Sequence, residues 1–511
     1  MSAWAWLELN SLVGCPLKIK SCLVSGLLVS VAWLASCSGP PQPPCTSNCP
    51  VTGNATVSLT LFATPLIPPP DAKFTNLLSF SVTVVGVSLT PATGAAVNIP
   101  LNTSTYVVDL TKLQSDSAFL ATIATVPAGT YNSMTVSLST PVVTYCTQTS
   151  GVSGCAAGSV KTVTGGAAAP QITTTPFPLA LIANQQTGIG VNFSLANALT
   201  VTPSTQVVTA VNLAAANVLS AKVLPPTSSS LAVGQLDFVE DVTGLVTAIN
   251  ASAPSVTVKT ATRGSITAFA NSSTVYSPNC TNFTFSSCVQ LGQIASLDTV
   301  LKTDGTFTLL EYDPLAKTTG DWIEGIVPNA ASSPTAFRIV TNDLVVSSSS
   351  SLIGGSANTL IGQPVNITLV TPAPFTVDTK GLTVPVNNFS GTDASILSPG
   401  ETVSLHVTGF TAVSGAPIAA NVDTLILRFT RVTGTVNAAA PPTFSIQSLP
   451  TFFGLTVPVT VQLSTGSPST NYDGIANANG LTASQTVSIR ALYFGPTSTP
   501  TPFSAAKVRM P

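Results

Sequence analysis

The sequence predicts an all-β chain with one β-sandwich domain followed by about three small repeated domains. Composition is the first observation: 7% of residues are charged and 44% hydrophobic. Ser, Thr, Gly, Pro and Asn fill the gap, and these suit strands and turns better than long helices. Period-two alternation in the N-terminal half is the second. The third is a turn-and-strand unit that recurs through the C-terminal half. At 511 residues and 51.8 kDa the chain is too long for one core, and about three or four domains are expected.

The alternation starts at Ala55. Val57, Leu59 and Leu61 face one way and Ser58 and Thr60 the other, which predicts a half-buried strand. In the next strand Leu78, Phe80, Val82 and Val84 share a face, and the phase changes across Gly86 to Val85, Val87 and Leu89. A glycine at a phase change predicts a bulge. Val126-Pro127-Ala128-Gly129-Thr130-Tyr131 then reads as a reversal, with Pro127 second and Gly129 fourth in a turn that feeds a strand through Met134, Val136 and Leu138. This turn, with Val108-Asp109-Leu110 and a late strand Val191 to Leu195, resembles an uncharacterised domain family of bacterial lipoproteins over about residues 55 to 222. That family is expected to carry an acid where this chain has Asn192, which weakens any cation site built there. Asp109 is read as a turn or strand-end residue rather than a ligand.

After a linker at Pro225 to Ser230 the repeat begins. Its opening strand is Gly244-Leu245-Val246, again Gly325-Ile326-Val327 and again Gly434-Thr435-Val436. Second strands follow at Val256 to Val258, Phe337 to Ile339 and Phe444 to Ile446. A later unit of turn, acceptor residue and alternating strand recurs at Leu291 to Leu297, Gly362 to Ile367, Pro399 to Leu405 and Ser484 to Ile489. The pattern resembles a second uncharacterised repeat family of secreted bacterial proteins, and this implies small OB-like β-barrel repeats. Closure would remove exposed edges from strands rich in Val and Thr.

The N-terminal stretch predicts location. Ser21 to Ser36 is uncharged and apolar and follows Lys18 and Lys20, in the order of a secretory signal. Residues 1–16 carry Glu8 and no basic residue, so translation is expected to begin at Leu17. Leu34-Ala35-Ser36-Cys37 resembles the lipobox of bacterial lipoproteins, which implies acylation of Cys37 and attachment to the membrane through its acyl chains. Ser38 in the following position implies sorting to the outer membrane of the cell envelope. The expected organisation is a signal peptide 1–36, a Pro/Ser/Thr-rich tether 37–54, a β-sandwich 55–222, a linker 223–235, and repeats at 236–316, 317–430 and 431–511. The middle repeat is enlarged by an insertion around Phe375 to Asp393.

Six further cysteines fall into sequence-local pairs: Cys45 with Cys49, Cys146 with Cys155, and Cys280 with Cys288. An oxidising envelope would turn these into three small-loop disulfides. A metal clamp at Cys45 and Cys49 is the alternative, but no partner thiol or histidine lies nearby.

Function is read mostly by exclusion. A net charge of −2 with sparse Lys and Arg leaves no footprint for nucleic acid. No run past residue 36 has about 18 uninterrupted apolar residues. Aromatics at 6% are too sparse for the girdles of a membrane barrel. His406 stands alone, against His-based triads and zinc sites. Ser504-Ala505-Ala506-Lys507 matches Ser-x-x-Lys but lies on a strand. Asp237, Glu240 and Asp241 are expected in a solvated linker, with calcium the alternative. No catalytic, cofactor or metal residues are assigned. Trp322, Tyr276, Tyr312 and Phe410 leave neutral-glycan stacking open. The expected role is a non-enzymatic binding or structural module that meets a glycan or another envelope protein; a hydrolase with two converging carboxylates is the alternative. With so few carboxylates, stability is expected to depend weakly on acid pH.

Overall fold

A computed structural model describes residues 53–66, 76–149, 153–277, 280–346, 360–370, 373–384, 386, 389–411, 418–496 and 501–510. The predicted signal, Cys37, Cys45, Cys49 and almost all of the tether lie outside these residues.

The N-terminal domain is two sheets over one core. One sheet orders its strands as Leu219–Leu224, Gln186–Ser194, Asn54–Thr64 and Ala118–Pro127. The other is built on Asn76–Pro91 and Gly129–Cys146, paired antiparallel along their length. Phe80 from the second sheet meets Phe193 from the first edge to face, with centroids 5.4 Å apart, an arrangement aromatic pairs prefer. A register shift between Val84 and Gly86 is the bulge expected at that glycine. At the Pro127 to Tyr131 reversal, the buried Tyr131 hydroxyl donates to the Pro127 carbonyl at 2.7 Å, tying the strand back to its turn.

One expectation fails here. Ser58 and Thr60 are as buried as the apolar residues between them. The outer face of this strand is covered by the first repeat, where the Thr60 hydroxyl donates to Asp237 at 2.7 Å.

Three five-stranded barrels follow. Barrel 1 uses Gln235–Asn250, Ser255–Lys259, Ser265–Phe269, Ile294–Lys302 and Phe307–Pro314. Barrel 2 uses Asp321–Ile326, Ala336–Val345, Pro364–Leu369, Thr402–Thr411 and Ile418–Arg428. Barrel 3 uses Thr430–Ala440, Thr443–Ile446, Val459–Leu463, Thr486–Tyr493 and Phe503–Arg509. In each, the first strand pairs antiparallel with the second and fourth, and the third closes parallel on the fifth. This connectivity is that of the OB-type barrel.

The repeated turn has a common structure. Gly292, Gly362, Gly400 and Ser484 all take a positive φ, between 70° and 96°, a region that suits glycine. The next residue, Gln293, Gln363, Glu401 or Gln485, donates its backbone N–H to the carbonyl three positions back. Side-chain oxygens of Glu401 and Gln485 accept from Ser398 and Thr482 in return. Three of these turns open fourth strands. The turn at Gly362 instead opens the third strand of barrel 2, so the four similar segments are one local structure used at two places in the fold.

Candidate functional site

The arrangement that distinguishes this chain is a buried charged seam where the sandwich meets all three barrels. A short segment, Thr111 to Ser117, forms its hub. Asp109 positions this segment: its carboxylate accepts from the N–H of Phe80 and Thr111 and from the hydroxyls of Ser79 and Thr111, at 2.6 to 3.0 Å. Four donors satisfy a side chain that is 1% exposed. Lys112 then reaches Asp241 of barrel 1 at 3.1 Å, and Glu324 and Asp343 of barrel 2 at 2.8 and 3.1 Å. Asp116 accepts from Arg431 of barrel 3. Arg509 donates to the Asp116 carbonyl and the Ser117 hydroxyl.

Equivalent strand positions carry opposite charges in barrels 1 and 3. The fourth strands align as Ser296-Leu297-Asp298, Ser404-Leu405-His406 and Ser488-Ile489-Arg490. Across the ladder, Asp298 and Ser296 face Glu311 and Asp313, while Arg490 and Ser488 face Lys507 and Arg509. Three acids in barrel 1 therefore correspond to three bases in barrel 3. One pair of these meets directly, Arg490 with Asp298 at 2.8 Å, and Glu240 of barrel 1 joins them at 3.4 Å from Arg490 and 2.8 Å from Lys507.

Ion pairs join sixteen residues in one cluster, and Asp237, Asp473 and Arg509 in a second. No side chain of either cluster is more than 8% exposed. Together they take eleven of the chain's 19 acidic residues and eight of its 17 basic ones. Cations at close range hold Asp116, Asp241, Asp298, Asp378 and Asp473 below the usual carboxylate range, against the opposing effect of burial.

Arg428 lies at the centre. It faces Asp241, Glu324 and Asp378, with Asp313 at 3.8 Å. Beside it Glu311, Asp313 and Asp378 bring carboxylate oxygens within 4.8 Å of one another. Burial pushes Glu311 up to about 8 and Asp313 well above its ordinary value. The trio does not have the make-up of a metal centre, because Lys380 lies 3.4 Å from Glu311 and Arg428 already engages Asp378. Two carboxyls do converge, as the hydrolase reading requires, yet none of the three residues is more than 5% exposed.

Residues 55–215 match the family model described as a domain of unknown function, DUF4382. The match covers the sandwich apart from its edge strand Leu219–Leu224, and the hub segment and Asp109 lie within the matched residues. No curated protein matches the chain. Among solved structures, drosophila Unr CSD456 is similar at 10% identity, covering 53% of this chain and 97% of that chain, with a TM-score of 0.12.

The residues singled out in the sequence are dispersed. Within the DUF4382 region Cys146 and Cys155 form a disulfide, and Asn192 accepts from Thr64 and donates to Ser220. Cys280 and Cys288, expected as a disulfide, stand instead as two buried thiols; Cys280 packs against Cys288 ahead of the one-turn helix Phe285–Cys288, and burial pushes its thiol up. Asp237, Glu240 and Asp241 lie in the seam rather than in a solvated linker, because the cations of barrel 3 and Lys112 cover them. Trp322 and Tyr312 are core residues, at 1% and 0% exposure, and offer no stacking face. His406 is a strand residue whose Nδ1 lies 2.6 Å from Asp423, at the half-exposed rim of barrel 2. Lys507 is buried with its Nζ 2.8 Å from Glu240, so the Ser-x-x-Lys match is a charge of the seam. The described helices include none long and apolar enough to cross a membrane.

Proposed function

We propose that this chain is a lipid-anchored cell-envelope protein whose body is a non-enzymatic structural module. One observation carries the reading: the charged side chains that could do acid–base chemistry are consumed in joining the domains. The surface left is mainly Ser, Thr, Asn and small apolar residues, suited to passive spacing or to contact with another envelope protein. Attachment rests on Leu34-Ala35-Ser36-Cys37, with two or more acyl chains holding stably where one does not. Among the described aromatics the single tryptophan is buried, which favours a protein contact over a neutral glycan.

The hydrolase reading has the Glu311, Asp313 and Asp378 convergence in its favour. Its carboxyls are engaged by Arg428 and Lys380 and shielded from water.

Fractionating cells that express the chain and its Cys37→Ser variant tests the anchor: the natural chain is expected with membranes and the variant in the soluble fraction. A glycan array and an ester and glycoside substrate panel on the purified chain test the module. Saturable glycan binding, or turnover abolished by Glu311→Gln, would overturn the structural reading.

A further inference from the structure

The seam is not charge-balanced, and the imbalance has a place. The larger cluster holds nine acids and seven bases, and the Asp237, Asp473 and Arg509 cluster two acids and one base. Buried charge without compensation is costly. Lys222 adds a further cation beside Asp473 and Asp237 in the smaller cluster, whereas two positive charges are missing from the larger one. In the larger cluster the shortage falls on the Glu311, Asp313 and Asp378 trio. Its two cations are shared: Lys380 also holds Asp298 at 3.2 Å, and Arg428 also serves Asp241 and Glu324. Glu311, Asp313 and Asp378 hold carboxylate oxygens within 4.8 Å of one another, where like charges in a buried site favour retaining a proton. Glu311 Oε1 is buried with no hydrogen-bond partner.

We infer that the Glu311, Asp313 and Asp378 junction is a proton-binding site: the closed seam between barrels 1 and 2 keeps two protons on these carboxyls, and their withdrawal loosens the contact between the barrels. Every element around the trio contributes to its field. Strand Ile294–Lys302 supplies Asp298 and Ser296, strand Gln235–Asn250 supplies Asp241, barrel 2 supplies Lys380, Arg428 and Glu324, and Cys280 flanks Asp313. Beyond these, Arg490, Arg431 and Lys112 engage Asp298 and Asp241. The acids outnumber the cations in direct contact with the trio, so the trio is where protons are retained. The upward displacement of Glu311 and Asp313 agrees with this placing. Two retained protons would bring the larger cluster to neutrality. This inference does not depend on the proposed function.

The test uses the purified full chain. Unfolded by guanidinium near pH 7 in weak buffer, it is expected to release protons, and Glu311→Gln/Asp313→Asn about two fewer per molecule. The natural chain should lose melting temperature as pH rises from about 5 to about 9, with most of that slope gone in the double variant. Infrared absorption of protonated carboxyls in the natural chain at neutral pH gives a readout that needs no variant to fold. Absence of that band with no proton release would overturn the inference. So would a calcium or magnesium addition at alkaline pH that restores the melting temperature, since a cation would then supply the missing charge.

Discussion

Barrels 1 and 3 have the same strand order and opposite chemistry. Where barrel 1 presents Asp298, Glu311 and Asp313, barrel 3 presents Arg490, Lys507 and Arg509. Barrel 2 carries His406, Thr424 and Ile426 at the same ladder positions, and its His406 stays at the rim. One strand pattern thus gives an acidic face, a basic face and a nearly neutral one, and the charged two meet. Complementary charge of this kind adds little net stability over apolar packing but penalises wrong pairings heavily. The difference specifies which barrel binds which.

The most direct way to break this comparison is to exchange the charges. Asp298→Arg alone puts two guanidiniums together, and Arg490→Asp alone two carboxylates; each is expected to cost about 3–5 kcal/mol or more, as for a buried pair stripped of a partner. The double exchange should recover a large part, measured as a coupling energy by urea unfolding. Additive losses would remove the charge pairing as the cause.

Lys112→Met tests the hub in the same way. It leaves Asp241, Glu324 and Asp343 short of a cation and is expected to cost about 3 kcal/mol. A loss under about 1 kcal/mol, the scale of a surface pair, would make the hub incidental.

Acid titration sharpens the contrast without mutation. Asp116, Asp241, Asp298, Asp378 and Asp473 sit below their unfolded values, so the stability they contribute is present above about pH 4 and disappears as pH falls through the folded values. Melting temperature should therefore be highest at about pH 4 to 5 and fall steeply below it. The expectation of weak acid dependence rested on scarcity of carboxylates; they are scarce, but gathered into one place.

The smallest effect belongs to barrel 2. Asp423→Asn removes the partner of His406 at the half-exposed rim, and should cost less than about 1 kcal/mol by urea unfolding. A larger loss would show that the neutral barrel also depends on charge at this ladder position.

Most of the architecture was legible in the residues. Alternation at Val57, Leu59 and Leu61, the phase change at Gly86 and the triplets at Gly244, Gly325 and Gly434 each mark a real element, because they record local backbone periodicity. The seam was not, because Asp298 and Arg490 occupy alternate strand positions that ordinarily face water. Ser58 and Thr60 were misread for the same reason: a polar residue covered by a neighbouring domain looks like one covered by solvent. One signal was present. Aligning Ser296-Leu297-Asp298 with Ser488-Ile489-Arg490 places opposite charges at one repeat position, in a chain where charges are rare.

Strand Phe503–Arg509 supplies both Lys507, for Glu240, and Arg509, for the Asp116 carbonyl and Ser117 hydroxyl. Both lie almost four hundred residues from the hub segment in sequence. Contacts of such long range close late in folding, so the strand that completes barrel 3 is also the one that fastens it to the sandwich.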